Sequence, residues 1–314
     1  LFYAGILATL AMVLVNPDEA LKVFIFSTAL SLPLIGKNIK HVCSNKQNLV
    51  LPVMLLLFGL LQIIWVEVFK QSGSAFTGAY RSYQNGGKVM IFAALVMTAL
   101  TTREPCANKT RITSLWTILT AIGLYLFAGY EVAGAPDMMT YRVALGFEHQ
   151  TGTSYALTLI ALLASQAIIN LRLKHTVALY LLHFLISLAV IITTQTRAAI
   201  LVYPILSVGL FLMYYRHNRT MLLRALLGFV VLVGVAAIPL KPIIESRYQN
   251  FLVDLHSYNQ DNSNTSIGAR LAMQRAGIES GKGHYWGQSL EQRGAEIQRL
   301  AVQDTSLQGA LEFI

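Results

Sequence analysis

"SLAVIITTQTRAAILVYPIL" runs from Ser187 to Leu206 and holds one charged residue, Arg197. It lies within a longer stretch, Thr176 to Tyr215, in which nothing else carries a full charge. The apolar run on each side of the arginine is close to the length of about 20 residues that crosses a bilayer as a helix. A barrel strand would alternate polar and apolar residues, and neither run alternates. The stretch therefore predicts two membrane helices joined by a very short turn, with Arg197 in that turn.

Runs of the same kind recur outward in both directions. Of the 314 residues, 55% are hydrophobic and 12% charged, against about a quarter charged in a soluble domain, and the mean hydropathy is +0.55. Nine apolar segments stand out, at about 1–15, 21–36, 49–69, 88–101, 112–130, 154–171, 176–194, 198–215 and 221–240. Backbone groups in hydrocarbon must be satisfied within their own segment, which makes these segments helices. The fold class is an all-α, polytopic membrane protein. Two regions are expected, a transmembrane bundle over 1–240 and a long extramembrane helical segment over 241–314. The chain opens on "LFYAGILATL" and stops at "GALEFI", each within a helical pattern and without a cleavable signal peptide. The expectation is a fragment truncated at both ends.

Charge orients the spans. Alternate connections hold Lys37, Lys40 and Lys46; Arg103, Lys109 and Arg111; Arg172 and Lys174; and Arg216, Arg219 and Arg224, with Glu104 as the one acid among them. The opposite connections carry Asp18, Glu19, Glu131, Asp137 and Glu148. The positive-inside rule makes the basic set cytoplasmic. Arg197 and everything beyond Lys241 then lie on the other side. The net charge of +9 belongs to the membrane part, largely its cytoplasmic loops, where orientation and attraction to anionic lipid headgroups account for most of it; nucleic-acid binding is not implied. Both cysteines, Cys43 and Cys106, fall in cytoplasmic loops, where no disulfide is expected.

The outward segments hold the candidate site residues. "KQSGSAFTGAYRSYQNGGK", expected as a loop over 70–88, carries Arg81 and Lys88. The connection 130–155 carries Arg142 and His149, and "TQTR" carries Arg197 with Thr194, Gln195 and Thr196 beside it. Beyond 241, "KPIIESRYQNFLVDLHSY" is amphipathic. Ser266 is placed to cap a helix through about Glu279 that carries Arg270 and Arg275. "SGKGHYWGQS" breaks that helix, and apolar residues from Leu290 to Leu311 predict a last one. This is too little apolar content for an independent domain, and it reads as a lid. An outward arginine here is either an interface anchor that snorkels to headgroup phosphates or one of several that converge on a phosphate-bearing substrate, which guanidinium holds bidentately. No histidine or cysteine spacing matches a metal site, and His183 reads as a satisfied interhelical histidine.

"AYRSYQNGGK", "TGTSYA", "TQTRA", "SIGARLAM" and "GALEF" follow one another in the order that resembles the bacterial O-antigen ligases, which belong with O-antigen polymerases and protein O-oligosaccharyltransferases. The resemblance implies a GT-C-like bundle with a periplasmic lid in the bacterial inner membrane. It implies transfer of O-antigen polysaccharide from an undecaprenyl-diphosphate donor to the lipid A–core acceptor, with no metal and no cofactor. It carries Arg197 and Arg270 over as diphosphate-binding residues, Arg142 as a further one, and Arg81 and Lys88 after these. The family's catalytic histidine follows the stretch matching "GALEF", so the expectation is no catalytic base within this chain and an inactive fragment. O-antigen polymerase is the near alternative; a transporter or flippase of a lipid-linked glycan is the distant one, expected to show ionisable residues at mid-membrane and internal repeats.

Overall fold

A computed structural model describes residues 1–44, 46–102, 107–136, 141–147, 150–260, 263 and 265–313. Among the described residues the regular structure is helical throughout. In chain order the helices are α1 (Phe2–Met12), α2 (Pro17–Lys37), α3 (Ile39–Ser44), α4 (Lys46–Phe69), α5 (Thr77–Thr101), α6 (Ala107–Ala133), α7 (Gln150–Asn170), α8 (Thr176–Thr193), α9 (Arg197–Tyr215), α10 (Arg219–Asn259), α11 (Ser266–Gly281) and α12 (Leu290–Gln303), with a 3-10 stretch over Thr305–Phe313. Six of them, α2, α4, α6, α7, α8 and α9, are long and apolar enough to cross a membrane. The chain is a polytopic helical membrane protein. The other three expected spans fall on α1, on the C-terminal part of α5 and on the N-terminal part of α10. At 11 residues α1 is short for a span, and α5 carries about three polar turns ahead of its apolar part.

The chain divides into two compact units. One comprises 1–48 and 95–236. Its core is built around α7, against which α6, α8 and α9 pack. Small residues on α7, among them Ser154, Ala161, Ala164 and Ser165, are fully buried and let neighbouring backbones approach in a medium where apolar burial gives no drive to association. Rings fill the space between α8, α9 and α10: Phe184 stacks on Tyr203 at 5.7 Å and meets Phe229 edge-on at 4.9 Å. His183 Nε2 lies 3.0 Å from the Ala161 carbonyl of α7, an interhelical bond of the kind expected.

The other unit comprises 49–94 and 237–314. Within it α4 and α5 cross at two glycines. A Cβ on Gly59 would lie 2.6 Å from the Gly87 carbonyl, and one on Gly87 2.7 Å from the Gly59 carbonyl. In the same unit α11, α12 and the 3-10 stretch pack through Ala272, Ala276, Ile297, Ala301, Leu307 and Ala310.

α10 runs through 241 to Asn259 as one helix. Three local expectations are corrected. The expected loop 70–88 is a short turn followed by helix from Thr77; Ser74 Oγ accepts from Phe76 N–H and Thr77 Oγ1 donates to Ser74 O, which starts α5 early. The cap of α11 is Thr265 rather than Ser266: Thr265 is extended and its hydroxyl accepts from Gly268 N–H at 3.1 Å. The last helix stops at Gln303, because the Asp304 carboxylate captures the N–H and hydroxyl of Ser306 and competes with the helical backbone.

Candidate functional site

The turn between α8 and α9 is three residues long. Thr194 ends α8, Gln195 takes a left-handed φ of +53° and Thr196 is extended. A non-glycine residue in that region costs about 1–3 kcal/mol unless its surroundings hold it; here the Gln195 amide donates to the Tyr141 carbonyl at 3.4 Å. Thr196 does not cap α9, since its hydroxyl turns to the Thr194 carbonyl at 3.4 Å. Arg197 is the first residue of α9, at the end of a helix without a side-chain cap. Arg197 is half-buried, and its guanidinium makes no hydrogen bond or ion pair among the described residues. A cation at the positive end of a helix is unfavourable by about 0.3–1 kcal/mol on its own. A helix N-terminus without a side-chain cap and a guanidinium beside it are groups of the kind that hold an anion.

The segment 141–147 is fastened to this turn. Val143, fully buried, donates its N–H to the Thr193 carbonyl at 3.3 Å, and Arg142 Nε donates to the Thr194 carbonyl at 3.3 Å. Gly146 N–H reaches the Leu14 carbonyl at 2.8 Å, and Thr153 Oγ1 donates to the Ala144 carbonyl. Gly146 has no room for a Cβ, which would meet the carbonyl of Val15. The Glu131 carboxylate accepts from Leu145 N–H and from the Tyr141 hydroxyl, both at 3.4 Å. Burial, with Glu131 adding to it, pushes the Tyr141 phenol up, so the phenol stays a hydrogen donor. The structure thus ties Arg142 to the turn that leads into Arg197, with Arg142 exposed.

Arg270, Arg81 and Lys88 belong to the second unit. Arg270 is exposed on the second turn of α11. Arg81 and Lys88 are exposed on α5, seven residues apart. At 100° per residue they share one stripe, about 10 Å apart along the axis. His149, Glu148 and Asp137 lie outside the described residues. His256 and His284 are exposed. Among the described residues, no group of three or more His, Cys, Asp and Glu side chains gathers as a metal ion would require.

Sequence reasoning placed Glu131 only as a loop acid and did not single out Gly146. A carboxylate two residues before the end of a membrane helix was a usable signal for Glu131; a glycine needed for close backbone approach leaves no trace in periodicity.

The family model described as "O-Antigen ligase" matches residues 182–308, a range that takes in both the α8–α9 turn and α11. An O-antigen ligase of Escherichia coli (strain K12) is 31% identical over 314 residues, covering 98% of this chain and 73% of that protein. The chain belongs to the O-antigen ligase family. No solved structure matches it. Family membership and the all-helical membrane fold agree with the resemblance seen in "TQTRA" and "SIGARLAM", and the former motif is the turn that carries Arg197 at the head of α9.

Proposed function

We propose that this O-antigen ligase family member is a glycosyltransferase that moves O-antigen polysaccharide from undecaprenyl diphosphate to lipid A–core, working at the periplasmic face of the bacterial inner membrane. The observation that supports the reading is half-buried Arg197, without a hydrogen-bond or ion-pair partner among the described residues, at the N-terminus of α9 that no side chain caps, with Arg142 fastened to the same turn.

In the transfer an acceptor hydroxyl oxygen bonds to the anomeric carbon as that carbon's bond to the phosphate oxygen breaks. The electron pair leaves with the lipid diphosphate, and the hydroxyl proton passes to a base. Negative charge therefore builds on the departing phosphate oxygen. Fixed positive groups aimed at that oxygen stabilise the transition state more than the ground state, with an effect on the order of 10²–10³-fold for one such donor. Arg197, the first-turn N–H groups of α9 and Arg142 supply that field, and Arg270 is proposed as a further diphosphate ligand, followed by Arg81 and Lys88. The reading requires no metal and no cofactor. The base is not assigned to any residue of this chain.

The test uses the full-length protein in a strain without its own ligase. Wild type restores the lipopolysaccharide ladder on a gel. Arg197→Ala at equal membrane level is expected to lose the ladder, leaving unmodified core and accumulated lipid-linked polymer. A normal ladder in that variant refutes the clamp, and failure of wild type with donor and acceptor present refutes the ligase reading.

A further inference from the structure

The connection between α11 and α12, "KGHYWGQS" over 282–289, holds the two most exposed aromatic side chains among the described residues: Tyr285 at 92% and Trp286 at 97%. The exposure is built in. Gly283 and Gly287 bracket the pair with φ of +84° and +106°, the left-handed region that glycine enters without steric cost. His284 N–H bonds to the Gly281 carbonyl at 3.1 Å and Gly287 N–H to the His284 carbonyl at 2.9 Å, closing two tight turns. An indole presented in this way is a surface made for contact.

The second observation is where the loop rests. A Cβ on Gly287 would lie 3.0 Å from Phe69 Cε2 and 3.3 Å from Trp65 Cδ1, so the loop backbone sits on the last turn of α4. At 24 residues that helix is about 36 Å long, more than the hydrocarbon thickness of about 30 Å. Its last turn, where Glu67 binds Gln84 at 3.0 Å, therefore stands at headgroup level. Ile64 and Val68 on the same stretch are exposed, as lipid-facing residues are. Trp286 is one peptide from Gly287, about 3.8 Å between Cα atoms, which puts the indole at the same depth. Tryptophan and tyrosine favour this layer, where an apolar ring and a polar N–H or O–H are both satisfied.

We propose that the 282–289 loop is a peripheral membrane anchor, with Trp286 and Tyr285 seated in the headgroup layer of the bilayer that α4 crosses, tying the α11–α12 region to the lipid surface. The inference rests on the loop and α4 alone and stands whether or not Arg197 binds diphosphate.

The test places the full-length protein in vesicles of phosphatidylethanolamine and phosphatidylglycerol, with and without phosphatidylcholine brominated high on its acyl chains. With every other tryptophan, Trp65 and Trp116 among them, replaced by phenylalanine so that Trp286 is the sole one, the expected emission is blue-shifted, quenched severalfold by the brominated lipid and resistant to iodide. Because Trp65 packs on Tyr80 at 5.5 Å, wild type against Trp286→Phe gives the same answer by difference without touching that cluster: the amount of iodide-quenchable emission should not fall. Emission as from water with free iodide quenching, or iodide-quenchable emission that is lost in Trp286→Phe, overturns the anchor. Shielding of Trp286 that arises only on adding lipid-linked glycan also overturns it, in favour of a sugar-stacking surface.

Discussion

At the scale of single residues, the chemistry of Arg197 is separable from its charge. A guanidinium offers a planar fork to two phosphate oxygens, whereas an ammonium is a point charge on a flexible stem. On the proposed reading, Arg197→Lys keeps the positive field but loses bidentate geometry. It should retain a weak ladder where Arg197→Ala has none, with transfer reduced on the order of 10-fold or more, read by densitometry at matched membrane levels; equal activity of the lysine variant and wild type would mean that charge alone suffices. Arg197 was legible because it is the one charge in a long apolar stretch. Its place at the head of an uncapped helix was not, since Thr196 is a good capping residue by type and only the structure shows its hydroxyl turned to Thr194. The tie of Arg142 to that turn was equally hidden, because it joins residues 52 positions apart.

At the scale of elements, the N-terminus of α12 is fixed to α5 by one buried phenol. Tyr80 accepts from Leu290 N–H at 2.8 Å and donates to Glu291 Oε2 at 2.8 Å, while Ser289 and Gln292 form a capping box beneath it. The Ser74 hydroxyl, with those of Tyr80 and Ser289 behind it, holds the Glu291 carboxyl below the usual carboxylate range. The folded state then binds fewer protons than the unfolded one just below the ordinary value of 4.5. Stability from this contact is full above that value and is lost as pH falls through the lower folded value. Limited proteolysis of the 282–303 region should therefore accelerate as pH drops below that ordinary value, and Glu291→Gln should flatten the dependence; an unchanged profile would remove Glu291 from the account. None of this was visible in the sequence, where 70–88 read as loop. Gly86 and Gly87, together with the polar residues around them, look like a break in any window, yet Gly87 serves a helix crossing with Gly59. The apolar spans themselves were legible because length and hydropathy decide them locally, whereas caps and crossings depend on partners far along the chain.

At the scale of the whole molecule, the alternation of basic and acidic connections predicts which ends of the helices share a side. A membrane-impermeant maleimide added to intact spheroplasts, in a background with Cys43, Cys106 and every other cysteine of the protein replaced by serine, should label Ser74→Cys directly. His175→Cys should be labelled only after permeabilisation. The reverse pattern would invert the topology and move Arg197 to the cytoplasmic side, away from the proposed acceptor. The grouping of 49–94 with 237–314 in one compact unit could not be read from the chain, since it rests on contacts such as that of Gly287 with Phe69.

The placement of Arg197 also bears on how long the protein survives. The first turn of α9 holds the Arg197 cation against like-signed partial charge, a small built-in repulsion that a bound anion would relieve. A ligand bound only by the folded state stabilises it in proportion to the logarithm of its concentration over its dissociation constant. On the diphosphate reading, inorganic pyrophosphate should raise the melting temperature of detergent-solubilised wild type and leave Arg197→Ala unmoved, while that variant melts slightly higher than wild type when both are empty. On the same reading, the arithmetic makes the supply of lipid carrier a determinant of the protein's half-life in a cell, so that starving the membrane of donor would thin out the proposed transferase along with its substrate.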